Sequence, residues 1–318
     1  PMRIIAPECV ILDEFEQQSL PARIEFCGRI CYKSEDRITS ESALPFVRKM
    51  LELKHSSVLE MGILTLQIQG AGPEAIASLY ACQPRYIQID QFKPSSLLIT
   101  GSIRAFRELW QLNPQEELPL AILHFLHARH SIFFEDLSAL AKPANAAFTI
   151  NKIPLAEVDQ LPAPLHSKHR YLAVKCVANR AVTHELVRHR PCSFLQESQR
   201  YCRYGADKFG NEVTFIKPLF FTEESLEFAL WQESMLHCER NYLKLLKTAS
   251  PQAARTVLPN SCKTEIIANA NLSEWYHILL LRTSPAAEPS MREIMLPLLA
   301  QLAKRFPMHF SQLNPNAK

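Results

Sequence analysis

Thr183-His184-Glu185-Leu186-Val187-Arg188-His189-Arg190-Pro191-Cys192-Ser193 lies in the second half of the chain, and Gln196-Glu197-Ser198-Gln199-Arg200-Tyr201 follows it closely. The apolar segment 170–177 precedes them and predicts a strand that leads into a helix. On that helix Glu185 and His189 lie one turn apart, so one surface carries a carboxylate beside cations. Cations clustered with serines and an amide repel one another unless an anion lies among them, and we expect a phosphate there.

Length and composition set the limits for every other inference. The chain has 318 residues, 47% of them apolar, which is enough for one large core or two modest ones. A formal charge of +3 is too small to indicate nucleic-acid binding, so an anion site must be local. No apolar run reaches the length of a membrane span.

The nine cysteines form an odd set without a CxxC pair, and no secretory segment precedes them. We therefore expect reduced thiols and a cytoplasmic protein. The histidines and cysteines also lack the four-ligand spacing of a zinc site, and we expect no metal.

Strand and helix patterns alternate without a regular βαβ repeat, which favours an α+β fold with a mixed sheet flanked by helices. Strands are predicted near 2–12, 63–69, 170–177, 215–220 and 263–270. Helices are predicted near 20–34, 40–53, 102–112, 119–129, 180–190, 223–248, 251–257, 272–282 and 291–306. The stretch from about 71 to 169 is divided by prolines, and we interpret it as a long insertion within one domain that spans residues 1–318.

Several separated blocks resemble the flavin-dependent thymidylate synthases, and they occur in the family's order. The blocks are Ile24 to Ser34, His55 to Glu60, Thr183 to Ser193 with Gln196 to Tyr201, Ala254 to Asn260, and the group Asn271, Trp275, His277 and Arg282. The resemblance covers most of the chain outside the predicted insertion. It implies the thymidylate synthase complementing protein fold.

The resemblance also implies a role for each matching residue. FAD would be bound by Ser57, Arg188, His189, Arg190, Gln196, Asn271 and His277. The nucleotide would be held by Glu185, Arg188, Gln196, Ser198, Arg200, Arg255 and Arg282. Arg282 would be the catalytic residue, because a fixed guanidinium beside the uracil stabilises negative charge on the pyrimidine.

The implied reaction is the reductive methylation of dUMP to dTMP. Methylenetetrahydrofolate would donate the carbon, NADPH would be the reductant, and FAD would carry out the redox chemistry. In this family the sites lie between the subunits of a homotetramer, so a homotetramer is expected here. Partners other than dUMP and folate, such as a membrane or nucleic acid, are not expected.

Three departures from the family pattern keep alternatives open. Ser273 and Tyr276 stand where arginines are expected, and Glu288 where histidine or glutamine is common. Arg104 and Arg107 lie in a similar motif within the insertion, and we hypothesise that they supply the missing charge near the site. A regulatory homologue that binds nucleotide or flavin with reduced or no synthase activity is the main alternative. An RNA-binding module is a weaker one, because aromatic residues do not alternate with the cations.

Without the resemblance, each residue also has a structural interpretation. The cations Arg188, His189 and Arg190 would form a solvated face. Arg282 would be a favourable charge near a helix C-terminus, and Asn271 an N-cap.

Overall fold

The computed structural model describes residues 2–93, 95–137 and 148–313. Its strands are β1 (Arg3–Ile5), β2 (Glu8–Ile11), β3 (Ile63–Gln69), β4 (Ile87–Lys93), β5 (Ser96–Ser102), β6 (Thr149–Ile153), β7 (Tyr171–Asn179), β8 (Ser193–Gln196), β9 (Thr214–Ile216) and β10 (Lys263–Asn271). Its α-helices are α1 (Asp13–Gln17), α2 (Leu20–Ile30), α3 (Ala43–Glu52), α4 (Pro73–Ala81), α5 (Ile103–Leu112), α6 (Glu117–Arg129), α7 (Leu155–Val158), α8 (Ala163–His169), α9 (Arg180–Leu186), α10 (Leu226–Leu245), α11 (Pro251–Ala254), α12 (Leu272–Arg282), α13 (Pro289–Arg305) and α14 (Pro307–Phe310).

The strands form two four-stranded antiparallel sheets and one small parallel pair. One sheet has the order β4-β5-β3-β6, and we call it, together with α5, the first unit. The other has the order β2-β7-β10-β8, and we call it, together with α12, the second unit. The strands β1 and β9 pair in parallel. The predicted α+β class, with sheets flanked by helices, is confirmed.

Each unit has its own apolar core. In the second unit one face of the sheet, including Val174 and Ala268, packs against Trp275 of α12 and Leu298 of α13, and all four side chains are fully buried. The opposite face contributes Ala173 and two further residues, Leu195 and Ile267, to the core of the first unit. The two units therefore pack together through this opposite face of the β7–β10 sheet.

The two units match in strand order and register. In the first, Ile63 of β3 lies opposite Ser102, the last residue of β5; in the second, Tyr171 of β7 lies opposite Asn271, the last residue of β10. Each of these last residues caps the helix that follows: Ser102 Oγ accepts from Ala105 N at 3.1 Å, and Asn271 Oδ1 accepts from Glu274 N at 2.9 Å. Counting back from these ends, Thr100 corresponds to Asn269 and Thr65 to Ala173.

The edge strands are exchanged between the two units along the chain. β2 lies before β3 in sequence but pairs with β7, and β6 lies before β7 in sequence but pairs with β3. Ile153 lies opposite Thr65, and the backbone N of Leu12 donates to Ala173 O at 3.0 Å, so Leu12 corresponds to Ile153. Eight residues beyond each of these positions the same tripeptide Leu-Pro-Ala occurs, at 20–22 and at 161–163. The chain therefore holds two copies of one arrangement that are joined through swapped edge strands.

The predicted insertion at 71–169 does not form a sheet of its own. Its strands β4, β5 and β6 add to β3, which lies upstream of it. Residues 94 and 138–147 of this segment lie outside the described residues. The single-domain boundary 1–318 remains a prediction.

The cysteines differ from expectation at one pair. Cys9 and Cys176 form a disulfide between β2 and β7, where they lie directly opposite each other in the strand register. The expectation that the thiols are reduced is therefore wrong for these two residues. The free thiols are those of Cys27, Cys31, Cys82, Cys192, Cys202, Cys238 and Cys262.

Candidate active site

The Arg188-His189-Arg190 motif lies in the loop between α9 and β8. α9 begins after Asn179, whose side-chain oxygen accepts from Val182 N at 2.8 Å, and it ends at Leu186. The predicted helix through residue 190 is therefore one turn too long. Pro191 excludes Arg190 from the helix, because helical geometry is disfavoured for a residue that precedes a proline. The motif cations are thus carried by a loop.

A partly buried hydrogen-bond cluster connects this loop to the end of α12. Arg282 Nη1 donates to Glu185 Oε2 at 2.7 Å, and Arg282 Nε donates to His189 Nε2 at 2.9 Å. Arg282 Nη2 also donates to the backbone O of Glu185 at 3.3 Å. The structure therefore brings together three residues that the sequence predicted for the site. A guanidinium has five N–H donors, so two of those of Arg282 lie outside these three bonds.

His189 is neutral in this cluster. Burial, together with the positive charge of Arg282 and the nearby His277, lowers the pKa of His189 to about 4. Its Nε2 accepts a hydrogen bond, which requires that this nitrogen carry no proton. The ring centroid of His277, an exposed residue, lies 6.0 Å from that of His189.

Cys192 and Glu274 lie beside His189. Cys192 Sγ lies 3.8 Å from Glu274 Oε1, and Glu274 Oε1 lies 3.9 Å from His189 Nδ1. Burial raises the pKa of both the Cys192 thiol and the Glu274 carboxyl. Cys192 is therefore an un-ionised thiol at neutral pH and a poor nucleophile.

Four other arginines of the predicted site have no carboxylate partner among the described residues. Arg190 donates to the backbone O of Val187 and of His189, at 2.6 and 2.8 Å, and Arg200 donates to Gln252 Oε1 at 3.2 Å. In residues 148–313 no ion pair forms to Arg188 or Arg255. These guanidinium groups retain their positive charge for an external anion.

Several predicted site residues are engaged within the chain. Gln196 Nε2 donates to the hydroxyls of Thr183 and Thr264 at 2.9 and 3.1 Å. Asn271 caps α12 and donates to Lys168 O at 3.0 Å, as its structural interpretation predicted. Ser198 lies where β8 meets α2, with its backbone N donating to Cys31 O at 3.0 Å.

Ser57 is exposed in the 3-10 turn Ser56–Met61, and this turn packs against β8. The structure therefore places Ser57 in an element that contacts the strand following the motif.

Sequence reasoning missed a charge cluster on the other face of β10. Lys33, Lys175 and Lys263 surround Glu265, with nitrogen–oxygen distances of 2.6 to 2.9 Å, and together they hold the pKa of that carboxyl far below its usual range despite burial. Lys263 also bonds Glu197 at 2.9 Å. These charges are distant in sequence, so only the pairing of strands could reveal them.

Arg104 and Arg107 are paired inside the first unit. Arg104 bonds Glu60 and Glu108 at 2.6 and 2.7 Å, and Arg107 bonds both carboxylate oxygens of Asp136 at 2.7 and 2.6 Å. Their charges are balanced where they are. The structure therefore gives no support to the hypothesis that they replace the arginines absent at Ser273 and Tyr276.

Within 2–93, 95–137 and 148–313, no group of three or more histidine, cysteine or acidic side chains is arranged to hold a metal ion. Over the same ranges, no helix is long and apolar enough to cross a bilayer.

Residues 167–308 match the family described as thymidylate synthase complementing protein. The flavin-dependent thymidylate synthase of Pyrococcus abyssi is 33% identical over 128 residues, which are 40% of this chain and 52% of that protein. The enzyme of the same name from Corynebacterium efficiens is 36% identical over 145 residues, 42% of this chain and 57% of that protein. The chain thus spans about half the length of the curated relatives it matches.

Solved structures give a weaker likeness. A UMP/dUMP methylase, PolB from Streptomyces cacaoi bound with 5-Br UMP, aligns over 98% of this chain and 96% of its own, with 13% identity and a TM-score of 0.43. The same protein bound with 5-Br dUMP aligns over 60% of this chain and 87% of its own, with 17% identity and a TM-score of 0.40.

The matched segment begins just before β7 and ends in α14, so it contains the motif loop, the Arg282 cluster and the caps of the second unit. Residues 167–308 of this chain are therefore similar to the thymidylate synthase complementing protein family.

Proposed function

We propose that the chain is a flavin-dependent thymidylate synthase that methylates dUMP to dTMP. The observation that carries the proposal is a set of guanidinium groups in the segment that matches the family. Within the described part of the chain they have no carboxylate partner, and they are Arg188, Arg190, Arg200 and Arg255. Such groups suit a phosphate, because the planar guanidinium offers paired donors to its oxygens. dUMP supplies that phosphate.

Glu185 and Arg282 orient the reacting end of the nucleotide in this proposal. Arg282 is fixed by Glu185 and His189, and two of its five N–H groups remain outside the bonds to those partners. A guanidinium held in this way stabilises the negative charge that develops on a pyrimidine without reorganising during the reaction. Neutral His189 supports Arg282 by accepting its Nε–H, and a second positive charge does not arise beside it.

The residues also suit a flavin cofactor. FAD carries a diphosphate, and Arg188 is an exposed guanidinium with no partner in the described part of the motif loop. Ser57 and His277 are exposed, whereas Gln196 and Asn271 would reach FAD only by giving up hydrogen bonds within the chain. When bound, FAD would supply the hydride that completes the methyl group.

The finer parts of the proposal come from the resemblance. They are methylenetetrahydrofolate as carbon donor, NADPH as reductant, Ser198 as a nucleotide ligand, a homotetramer with sites between subunits, and a cytoplasmic location. The exposed position of Arg188, Arg190 and Arg200 supports a site that is completed at a subunit boundary.

Nucleotide binding by matched variants tests the proposal. The strand register makes Gln83-Pro84-Arg85 of the first unit the counterpart of Arg188-His189-Arg190, because Gln88 and Ser193 lie opposite Thr100 and Asn269. Arg188→Ala should raise the Kd for dUMP by about 10- to 100-fold, the equivalent of ~1.5–3 kcal/mol for a charge-assisted hydrogen bond. Arg85→Ala, which removes the same charge from an equally exposed loop, should leave Kd unchanged. Calorimetric titration of the full chain measures both, and equal effects would contradict the assignment.

Turnover is tested with all three small molecules present. The full chain with FAD should convert dUMP to dTMP when methylenetetrahydrofolate and NADPH are supplied. Arg282→Ala should retain the flavin absorbance but lose most dTMP formation, and a variant with near-normal turnover would remove Arg282 from the mechanism.

The second candidate is a regulatory homologue that binds the nucleotide without turnover. Ser273 and Tyr276 favour it, because Arg104 and Arg107 do not make up for the missing charge. Protein that binds dUMP but stays colourless with FAD and forms no dTMP would establish this alternative.

A further inference from the structure

A cavity of about 530 Å³ lies where the two units meet, on the face of the β7–β10 sheet that points away from α12. Corresponding residues of both units line it, namely Met61 with His169, Ile63 with Tyr171, and Thr65 with Ala173. The cavity therefore lies between corresponding parts of the two units. Its size falls in the range of small-molecule sites.

The floor of the cavity contains a polar group without a partner. Asn269 is 3% exposed and lines the cavity, and its Nδ2 has no hydrogen-bond partner among the residues that the structure describes. Its counterpart Thr100 is satisfied, since its hydroxyl bonds Thr65 Oγ1 and His169 Nδ1, both at 2.8 Å. The residues that correspond to Thr65 and His169 in the second unit are Ala173 and Met61, which offer Asn269 no acceptor.

A buried amide donor left without a partner costs about 1–3 kcal/mol, so an external acceptor at this position would be favourable. The lack of symmetry between the two units thus points to a ligand atom beside Asn269.

The mouth of the cavity is positively charged. Lys152 is exposed there, and no carboxylate pairs with it in the described residues; Arg23 donates to backbone oxygens of Glu16 and Gln18. Burial and the charge of Arg23 both lower the pKa of Lys152, which shows that the two cations are close enough to repel each other. The carboxylate in the wall, Glu16, is already bonded by Arg170 and Arg305.

The wall also contains apolar side chains, among them Phe15, Leu20, Leu64, Leu155 and Val158, beside polar ones such as Gln17, Ser19 and His130. We propose that this cavity binds an organic anion with an apolar ring body: its carboxylate or phosphate lies at Lys152 and Arg23, and an acceptor atom meets Asn269 Nδ2. The proposal does not rest on the activity assigned to the Arg282 cluster, because that cluster lies on the other face of the sheet.

Binding of anilinonaphthalene sulfonate, an anionic aromatic probe, tests the site in the full chain. We expect saturable fluorescence enhancement that is weakened about tenfold in Lys152→Ala, the loss expected for one charge-assisted contact. Lys49→Ala, which removes an exposed lysine of α3 outside the cavity, should bind like the wild type. Asn269→Leu should also bind the probe more weakly, and its midpoint of thermal unfolding should equal or exceed that of the wild type. If Asn269 had a purely structural role, its replacement would lower this midpoint.

Displacement identifies the anionic group. Phenyl phosphate and benzoate should displace the probe, whereas neutral benzyl alcohol should not. If phenyl phosphate is the stronger competitor, the natural ligand carries a phosphate; if benzoate is the stronger, it carries a carboxylate. The proposal fails if the probe does not saturate, if Lys152→Ala and Lys49→Ala bind alike, or if benzyl alcohol competes as well as the anions. Should Asn269→Leu not fold, the exposed Lys152 variant still decides the result.

Discussion

The first and second units share strand order, register and helix caps, but only the second carries the Arg188-His189-Arg190 motif. At the corresponding positions the first unit has Gln83-Pro84-Arg85. In the helices α5 and α12 the arginines occur in the first unit instead. Arg104 and Arg107 of α5 correspond to Ser273 and Tyr276 of α12. The two copies share the same backbone arrangement but differ in their polar side chains.

The residues that stabilise the fold differ from the residues that form the candidate site. Phe106 and Trp275 occupy corresponding positions of α5 and α12, and both are buried, so the apolar contact between helix and sheet is kept in each unit. The motif residues lie in a loop, where substitution leaves the sheet register intact. A unit could therefore lose its anion-binding chemistry without losing its structure.

The largest expected effect lies at the joint between the units. Arg170 is 1% exposed and bonds Glu16 at 2.6 and 2.8 Å and Asp159 at 2.6 Å, whereas the corresponding residue of the first unit is Gly62. Arg170→Met should lower the free energy of unfolding by about 3 kcal/mol, because it leaves carboxylates without their buried partner. Urea denaturation measures the loss.

Arg305→Met is the matched control for that prediction. Its contact to Glu16 at 2.9 Å is more exposed, so its removal should cost about 1 kcal/mol or less. Equal losses in the two variants would show that the units are not held together through Arg170.

The next largest effect is a dependence of stability on pH. It is expected only in the second unit, because His189 titrates and its counterpart in the first unit, Pro84, does not. The pKa of folded His189, about 4, lies below the usual value of 6.5, so between these values the unfolded chain takes up a proton that the native chain does not. Stability from this residue is therefore present above pH 6.5 and is lost as the pH falls toward 4, by about 3 kcal/mol. His189→Asn should flatten the urea-unfolding profile over this range, whereas His184→Asn, an exposed neighbour, should not.

The smallest effect compares the two helix caps. Ser102→Ala should cost about 1 kcal/mol, the usual value for an N-cap. Asn271→Ala should cost up to about 2 kcal/mol, since it also removes the hydrogen bond to Lys168 O. Thermal unfolding of both variants checks the order, and equal losses would mean that the Lys168 contact adds nothing.

Sequence patterns predicted the long elements well. The strand at 63–69 and the helix at 272–282 are confirmed at both ends, because alternation and a clear N-cap mark them. The strands β4, β6 and β8 were not predicted. Their polar or short segments carry little local signal, and they form because they complete hydrogen bonding along the edges of sheets begun elsewhere.

The site was predicted in composition but not in arrangement. Glu185, His189 and Arg282 were each named from the motif, and the structure joins them through hydrogen bonds across 97 and 93 residues of sequence. The sequence did not reveal that Gln196 and Asn271 have partners within the chain, or that Arg104 and Arg107 are balanced by Glu60 and Asp136. Those outcomes depend on which side chains the sheet register places together.

By itself, the sequence determined the fold class, the main helices and strands, and the family that residues 167–308 resemble, because these depend on local periodicity and on contiguous motifs. Only the tertiary structure decided that the predicted insertion completes a second copy of the same sheet, that the edge strands are exchanged, and that Asn269 faces a cavity without a partner. These features arise from pairings between residues far apart in the chain. Such pairings are selected by backbone hydrogen bonding and apolar burial in the folded molecule, and no local pattern records them.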